Sequence, residues 1–422
     1  MADVQPLRAL HYDQSVAGPL QDLAAPPYDV IDDAQRAELV SRSPHNVVGI
    51  DLPRAEGGGD PYEAAAQLLA RWREERAIVQ DDEPAIWALT QDYTTPEGRE
   101  LTRRGFLARV RVEDYGPGRI RPHERTHPGP KEDRLRLTRA TNANLSPIFS
   151  LYSDPDRAAW SAIEDSLAGD AWGEVTDDDG TVHRIWRVGD PDVLSVVHEA
   201  LGDAELLIAD GHHRYETARV YADEVGGEGP HRYVLMCLVA LEDPGLTVFP
   251  THRLVRGLRP DQHETLAVAL RRDFEIEEIT REELVPAPGG GPLELGYIDA
   301  HFRRPFRLRL RDQSIADAAL EGHSQAYRQL DTAVLEALVL KGALEMTEES
   351  IAHFEGIGYA RDDEDAIASV ERGDYDAAFL MRPAPVSQIR DVAQAAENMP
   401  PKSTYFFPKV LTGLIFNPLG SE

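Results

Sequence analysis

Five consecutive residues, Asp210-Gly211-His212-His213-Arg214, place an acid, two imidazoles and a guanidinium directly behind the apolar run Leu206-Leu207-Ile208-Ala209. The run reads as a short buried strand. From His212 the spacing of Tyr215, Ala218, Val220 and Tyr221 turns helical, so Asp210 and Gly211 fall at a strand-to-helix corner. A strand that stops at a helix start leaves free main-chain N–H groups aimed at one point, and the helix dipole favours an anion there. Gly211 permits close approach of the backbone, and His212, His213 and Arg214 add donors. Asp210 is misplaced for anion binding alone and makes sense as a base, or as a handle on a hydroxyl or a metal. A plainer reading stands beside it, in which Asp210 caps the helix and the histidines are solvated.

Three further segments are dense in polar side chains. In "HERTHPGPKEDRLRLTRATNANLSP" (123–147), His123 and His127 stand four apart, but Pro122, Pro128, Gly129 and Pro130 favour a loop over a helical metal pair. Glu124, Lys131, Arg134 and their charged neighbours form either a solvated face or an anion site. In "MPPKSTYFFPK" (399–409), two prolines fix the backbone before Lys402, Ser403 and Thr404, three donors in a row, and the aromatic residues after them supply an anchor. No glycine precedes Lys402, so a nucleoside-triphosphatase P-loop is rejected. "APPYDVI" presents Tyr28 and Asp29 on a rigid Pro-Pro turn.

The 422 residues carry 74 acidic against 44 basic side chains, a formal net charge of -30. Such a surface repels nucleic acid and anionic membranes, and neither is expected as a partner. Four of the basic residues are lysines, Lys131, Lys341, Lys402 and Lys409, and acid excess with scarce lysine is the pattern expected of a salt-adapted, halophilic cytoplasmic protein. The single cysteine, Cys237, excludes intramolecular disulfides and multi-thiolate metal sites, and within "YVLMCLVAL" it reads as a buried, inert thiol. No apolar run reaches the roughly 18 residues of a membrane span, and "MADVQPLRALHYDQ" lacks the regions of a signal peptide.

These segments must be held by the elements between them. Helical spacing is read from Tyr62 to about Ala77, from about Lys131, and over 156–169, 192–201, 261–273, 331–341, 364–371 and 386–397. Hairpins are expected over "AIWALTQDYTTPEGRELTRRGFLARVRV", "GEVTDDDGTVHRIWRV" and 293–311, with further strands in "HRYVLMCLVALED" and "YDAAFLM". The sum is a mixed α+β fold; a regularly alternating, doubly wound parallel sheet is not favoured. The composition shift from about 260 and the "PAPGGGP" break divide the chain into a catalytic core with hairpin insertions (1–255), an accessory α/β lobe (256–385) and a C-terminal segment (386–422) that returns Lys402 to the active site.

The set "AAPPYDVI", "HERTHPGPKEDRLRLTRATNANLSPIFSLY", "ADGHHRYETA", "PTHR" and "MPPKSTYFFPK" resembles domain-of-unknown-function family 1015 over nearly the whole chain. "DGHHR" by itself is similar to the strand-to-helix motif of the ParB/sulfiredoxin-like superfamily, and most of all to that of its free serine kinases. That resemblance implies a ParB/sulfiredoxin-like core and a phosphotransferase acting on a small hydroxyl substrate, serine or phosphoserine, with ATP, ADP or pyrophosphate and Mg²⁺. On this reading Asp210 is the catalytic acid/base, assisted by His213. Glu124 is the supporting carboxylate, with Asp29 in reserve. Gly211, His212, Arg214, Lys131, Arg134, Lys402, Ser403 and Thr404 hold phosphate or nucleotide, and Tyr28, Asp29 and Asn144 face the substrate. The protein alone supplies no metal site. The sulfiredoxin version has a cysteine at this corner, where this chain has His212. Two alternatives stay open: a nucleotide-binding switch without transfer, and a metal-dependent hydrolase built on His123, His127, His213 and Asp210.

Overall fold

The computed structural model describes residues 2–55, 58–117, 119–124, 128–167, 169–202, 204–289 and 291–420. The chain divides into two compact units, one of residues 1–122, 126–246 and 408–422, the other of 123–125 and 247–407. Both are mixed α+β.

The first unit is organised by a nine-stranded sheet. Along its main path the strands run Ile120–Arg121, Leu206–Asp210, Ile148–Tyr152, Tyr233–Ala240, Glu100–Arg111, Ile86–Thr94, Val182–Val188 and Gly173–Thr176, and Val4–Gln5 pairs with Glu100–Arg111. The Leu206–Asp210 strand is parallel to Ile120–Arg121, and Tyr233–Ala240 is parallel to Ile148–Tyr152; the other pairings are antiparallel. The two hairpins expected from the sequence are the antiparallel pairs Ile86–Thr94 with Glu100–Arg111 and Gly173–Thr176 with Val182–Val188. Tyr233–Ala240 is buried along nearly its whole length, as its unbroken apolar sequence requires of an interior strand. Phe106, Ile148, Trp160, Ile208, Tyr215 and Met236 close the core beneath the sheet, and Cys237 is buried within it.

The helix His212–Val225 follows the Leu206–Asp210 strand, and the helix Pro61–Glu74 begins with Asp60 accepting from the N–H groups of Tyr62 and Glu63. Two elements differ from the sequence expectation. The helix expected from Lys131 starts at Pro128. Proline lacks an N–H, and the first turn is where a helix has no partner for that N–H, so the Pro-Gly-Pro run opens the helix where a loop was expected. The helix expected over 156–169 is the shorter Ala158–Glu164, started by Asp154, whose carboxylate accepts from Ala158 N and Ala159 N at 3.0 Å each.

The second unit is built on a six-stranded antiparallel sheet in the order Phe274–Glu278, Phe306–Leu310, Glu294–Asp299, Ala377–Leu380, His252–Val255, Ile357–Ala360. Leu254, Ile298, Ile367, Val370 and Leu380 form its core with the helix Asp363–Glu371. Among the described residues no helix is long and apolar enough to cross a membrane.

Candidate functional site

The Asp210 corner is shaped by three local features. A register shift against Ile148–Tyr152 between Ile208 and Asp210 inserts an extra residue, which turns the end of the strand. Gly211 then takes the left-handed conformation, φ 96°, and caps a helix of fourteen residues. A Cβ at Gly211 would lie 3.0 Å from Arg214 Nε and 3.1 Å from its Cζ, so the glycine makes room for the guanidinium as well as for the turn.

That guanidinium folds back one helical turn. Arg214 Nη2 donates to Asp210 Oδ2 at 2.8 Å, Nη1 donates to the Pro147 carbonyl, and Nε is buried without a partner among the described residues. The second carboxylate oxygen, Oδ1, accepts from Lys409 Nζ at 3.1 Å. Burial works to raise the Asp210 carboxyl, but Lys409 and Arg214, with His212 behind them, outweigh it and hold the group well below the usual carboxylate range. Asp210 is therefore an ionised acid held between two cations. His212 is buried in the first turn of the helix.

Lys409 has its own support. Its carbonyl accepts from Gln91 Nε2 at 2.9 Å, and the same amide nitrogen is 3.1 Å from His183 Nδ1. His183 Nε2 lies 2.8 Å from Asp177 Oδ2, which fixes Nδ1 as an acceptor. Gln91 Oε1 accepts from Arg103 Nε at 2.9 Å, and Arg103 lies over the Phe149 ring at 4.5 Å. Burial lowers the Arg103 guanidinium to about 10.

Next in the same unit stands a second buried pair, Arg134 and Asp51, with 3.2 Å between Nη1 and Oδ1 and side chains only 6% exposed. Asp51 Oδ1 also accepts from Ser146 Oγ at 3.1 Å, and burial raises the Asp51 carboxyl against the pull of Arg134 and Arg214. Arg134 lies over the Tyr28 ring at 4.1 Å and donates from Nε to Asp133 at 2.7 Å. Burial pushes the Tyr28 phenol up to about 12, with Arg214 and Arg134 opposing. Asp51, Arg134, Asn144, Ser146, Arg214 and Thr217 line a cavity of about 40 Å³.

The structure thus gathers Asp210, Gly211, His212, Arg214, Arg134 and Tyr28 within one unit, and it assigns several of them partners that the sequence did not reveal. The donors of Arg134 serve Asp51 and Asp133. Asn144 Oδ1 accepts from Leu235 N at 3.1 Å and from Asn417 Nδ2 at 2.9 Å, tying strands together. Asp29 is exposed, Lys131 and His213 are half-buried, and the carbonyl of Lys131 accepts from Thr217.

Glu124, Lys402, Ser403 and Thr404 belong to the second unit. There Glu124 Oε1 accepts from the main-chain N–H of Lys402 at 2.9 Å, and Lys402 has φ 58° with an exposed side chain. His123 is buried, 2.9 Å from Thr404 Oγ1 and edge-on to the Phe406 ring. Ser403 Oγ donates to the Pro400 carbonyl at 2.6 Å and is 3.0 Å from Thr332 Oγ1. His127, one of the histidines weighed for a metal site, lies outside the described residues, and among the described residues no group of three His, Cys, Asp or Glu could hold a metal ion.

Sequence reasoning missed Lys409, Asp51 and Ser146. For Lys409 a signal existed, since two of the four lysines fall within residues 399–409. Asp51 sits in "NVVGIDLP", where nothing local foretells Arg134 as its partner.

Fold and corner together define a mixed α+β protein whose strand-to-helix turn holds an acid between two cations. The chain belongs to the DUF1015 family, described as a protein of unknown function, whose family model matches residues 4–333. Among solved structures it is similar to a conserved hypothetical protein from Pyrococcus furiosus, 16% identical, covering 68% of this chain and 86% of that one with a TM-score of 0.35. It is also similar to a free serine kinase in complex with AMP, at 14%, 68%, 83% and 0.35 in the same order. SbnI with a C-terminal truncation from Staphylococcus aureus gives 15%, 72%, 85% and 0.37. No curated protein matches the chain.

Proposed function

We propose that the protein transfers a phosphoryl group between a nucleotide or pyrophosphate and a small hydroxyl compound, with serine and phosphoserine the first pair to test. The observation that carries this reading is the Asp210 carboxylate, ionised between Lys409 and Arg214 at the start of a fourteen-residue helix. The free serine kinase resemblance of "DGHHR" names the substrate class.

The arrangement suits a loose transition state, in which little covalent help is needed and catalysis is mostly positioning and charge neutralisation. An acid with so low a proton affinity is a weak base early in the reaction. In its resting pairing Asp210 orients an acceptor hydroxyl. A phosphate that draws Lys409 or Arg214 onto its own oxygens takes positive charge away from Asp210. The carboxylate then becomes a better proton acceptor at the moment the hydroxyl must lose its proton. Gly211 and the first-turn N–H groups add donors without side-chain cost.

Both Asp210 oxygens are engaged by cations, so the corner does not fit a resident divalent ion. Mg²⁺ accompanies the nucleotide as part of the substrate. Phosphorus NMR of the protein in high-salt Mg²⁺ buffer tests the proposal, with ATP, ADP or pyrophosphate offered alongside serine, and phosphoserine alongside ADP or phosphate. A phosphoserine signal that appears or vanishes with wild type and falls at least about a hundredfold with Asp210→Asn supports it. Equal rates with Asp210→Asn refute the role of the corner. Glu124→Gln, in the same assay, decides the part proposed for the second carboxylate. Line broadening of the nucleotide without turnover would favour the regulatory switch.

A further inference from the structure

The hairpin of Gly173–Thr176 with Val182–Val188 closes through Asp177-Asp178-Asp179-Gly180-Thr181, an acidic turn that the phosphotransfer reading does not use. Asp177 Oδ1 accepts from the main-chain N–H groups of Asp179 and Thr181 at 3.0 and 2.9 Å, as an aspartate does in a tight turn, and Oδ2 is left to meet His183 Nε2 at 2.8 Å. His183 stands at the start of the returning strand and is only 1% exposed. The strand register sets it opposite Gln91, and Gln91 opposite Arg103, so three polar side chains form a row across three neighbouring strands of the first unit.

Gln91 has no spare bonding capacity in this row. Its two amide N–H groups go to the Lys409 carbonyl at 2.9 Å and to His183 Nδ1 at 3.1 Å, and its Oε1 accepts from Arg103 Nε at 2.9 Å and from Arg103 Nη2. The amide cannot turn over, because its NH₂ would then face a buried guanidinium whose Nη1 already lacks a partner among the described residues. This orientation requires a bare Nδ1, and hence a neutral imidazole that carries its proton on Nε2 toward Asp177. A second proton would set N–H against N–H, and either the His183–Gln91 or the Gln91–Lys409 bond would have to give. Burial does most to lower the proton affinity of His183; of the charged groups that face it, Asp177 on the hairpin turn raises that affinity and Arg103 on the Glu100–Arg111 strand lowers it. Lys409 turns its carbonyl to the row and its ammonium to Asp210.

We propose that His183 is a positioning residue for Lys409: neutral, it keeps Gln91 on the Lys409 carbonyl and so keeps the ammonium on Asp210; protonated, it breaks the row and loosens the Lys409–Asp210 contact. The corner is then assembled at neutral pH and slackens in mild acid, well above the pH at which Asp210 itself takes up a proton. The inference rests on the function proposed above only for its effect on turnover, because the state of Lys409 is observable with no substrate present.

The scarcity of lysine makes the test direct. Full chain labelled with carbon-13 at lysine Cε gives one NMR signal for each of Lys131, Lys341, Lys402 and Lys409, and the signal lost in Lys409→Met is that of Lys409. The protein is titrated in high-salt buffer without substrate from pH about 8 to about 5. The Lys409 signal is expected to move in a step whose midpoint coincides with that of the His183 ring, identified by its loss in His183→Gln and its displacement in Asp177→Asn. Asp177→Asn removes the charge that favours the imidazolium, so both midpoints fall together by about 1 pH unit. His183→Gln keeps an acceptor for Gln91 but takes up no proton, and abolishes the Lys409 step. In the phosphotransfer assay kcat falls about fivefold through the same midpoint, the worth of one hydrogen bond; an assay with no turnover would refute the proposed function and leave the titration to decide the role of His183. Three results overturn the proposal: His183 stays neutral over the whole range, His183 titrates while Lys409 does not respond, or Lys409 responds with a midpoint that Asp177→Asn leaves in place, which would assign the step to another group near the corner such as His212. Wild type and Asp177→Asn suffice for all three, so the test does not depend on the folding of the buried His183→Gln variant.

Discussion

Replacing Lys409 by Met leaves Asp210 with Arg214 as its remaining ion-pair partner, and the cost can be worked from the geometry. The lost contact is a charge-assisted bond of 3.1 Å between side chains that are 17% and 22% exposed. Hydrogen bonds to charged groups contribute about 1.5–3 kcal/mol. Full removal of one partner from a buried pair costs about 3–5 kcal/mol, but here Arg214 still compensates the carboxylate. We expect a coupling of about 2 kcal/mol in a double-mutant cycle of Lys409→Met and Asp210→Asn. All five tryptophans, Trp72, Trp87, Trp160, Trp172 and Trp186, lie in the first unit, so urea unfolding followed by tryptophan fluorescence reports on that unit alone. The pH dependence has a definite sign. Asp210 is depressed in the folded state, so its pairing contributes fully above the unfolded carboxylate value of about 3.9 and is lost as pH falls toward its lower folded value. In Lys409→Met the folded value moves up, and less is lost on acidification. The stability gap between wild type and variant should therefore be constant from pH 7 to about 5 and narrow below about 4. A coupling below about 0.5 kcal/mol, or a gap that widens in acid, would refute the reasoning.

The other expectations are more local. Gly211→Ala forces a side chain into a left-handed turn and against Arg214, so the first unit should lose about 1–3 kcal/mol in the same fluorescence assay, with phosphotransfer falling alongside. Asp51→Asn removes the buried partner of Arg134; Asp133 remains, so a loss of about 3 kcal/mol, the low end for a broken buried pair, is expected, and an unchanged urea midpoint would count against it. Lys402→Gly suits φ 58° and keeps the N–H that Glu124 accepts, so stability should hold or rise by up to about 1 kcal/mol in thermal or urea unfolding. Any loss of turnover in that variant then belongs to the lysine side chain.

Much of the fold was legible because it is written in local periodicity. The apolar run at 206–209 and the helical spacing from 212 fix the corner to within a residue, and the three hairpins carry alternation on both arms. The Pro-Gly-Pro run is the exception. Pro128 and Pro130 read locally as loop formers, although a first turn has no use for their missing N–H groups.

The site was legible in its residue types and not in its pairings. "DGHHR" announces an acid beside donors, but whether that acid is a base or a counter-ion depends on what closes over it. The answer came from Lys409, 199 residues away. Lysine scarcity points to "MPPKSTYFFPK", and the sequence reading takes Lys402 from it; in the structure Lys402 has a left-handed backbone and an exposed side chain, whereas Lys409 is held through its carbonyl by Gln91 and reaches Asp210. Asp51 and Arg134 show the same limit from the other side, since each reads as unremarkable until burial joins them. Both cations that ion-pair with Asp210, Lys409 and Arg214, are held by its carboxylate in a chain with a net charge of -30. On the function proposed above, phosphate binds by exchange, displacing carboxylate from Lys409 or Arg214. On that same proposal, the corner couples occupancy to the proton affinity of Asp210, a property that a transferase needs and that a mere helix cap does not.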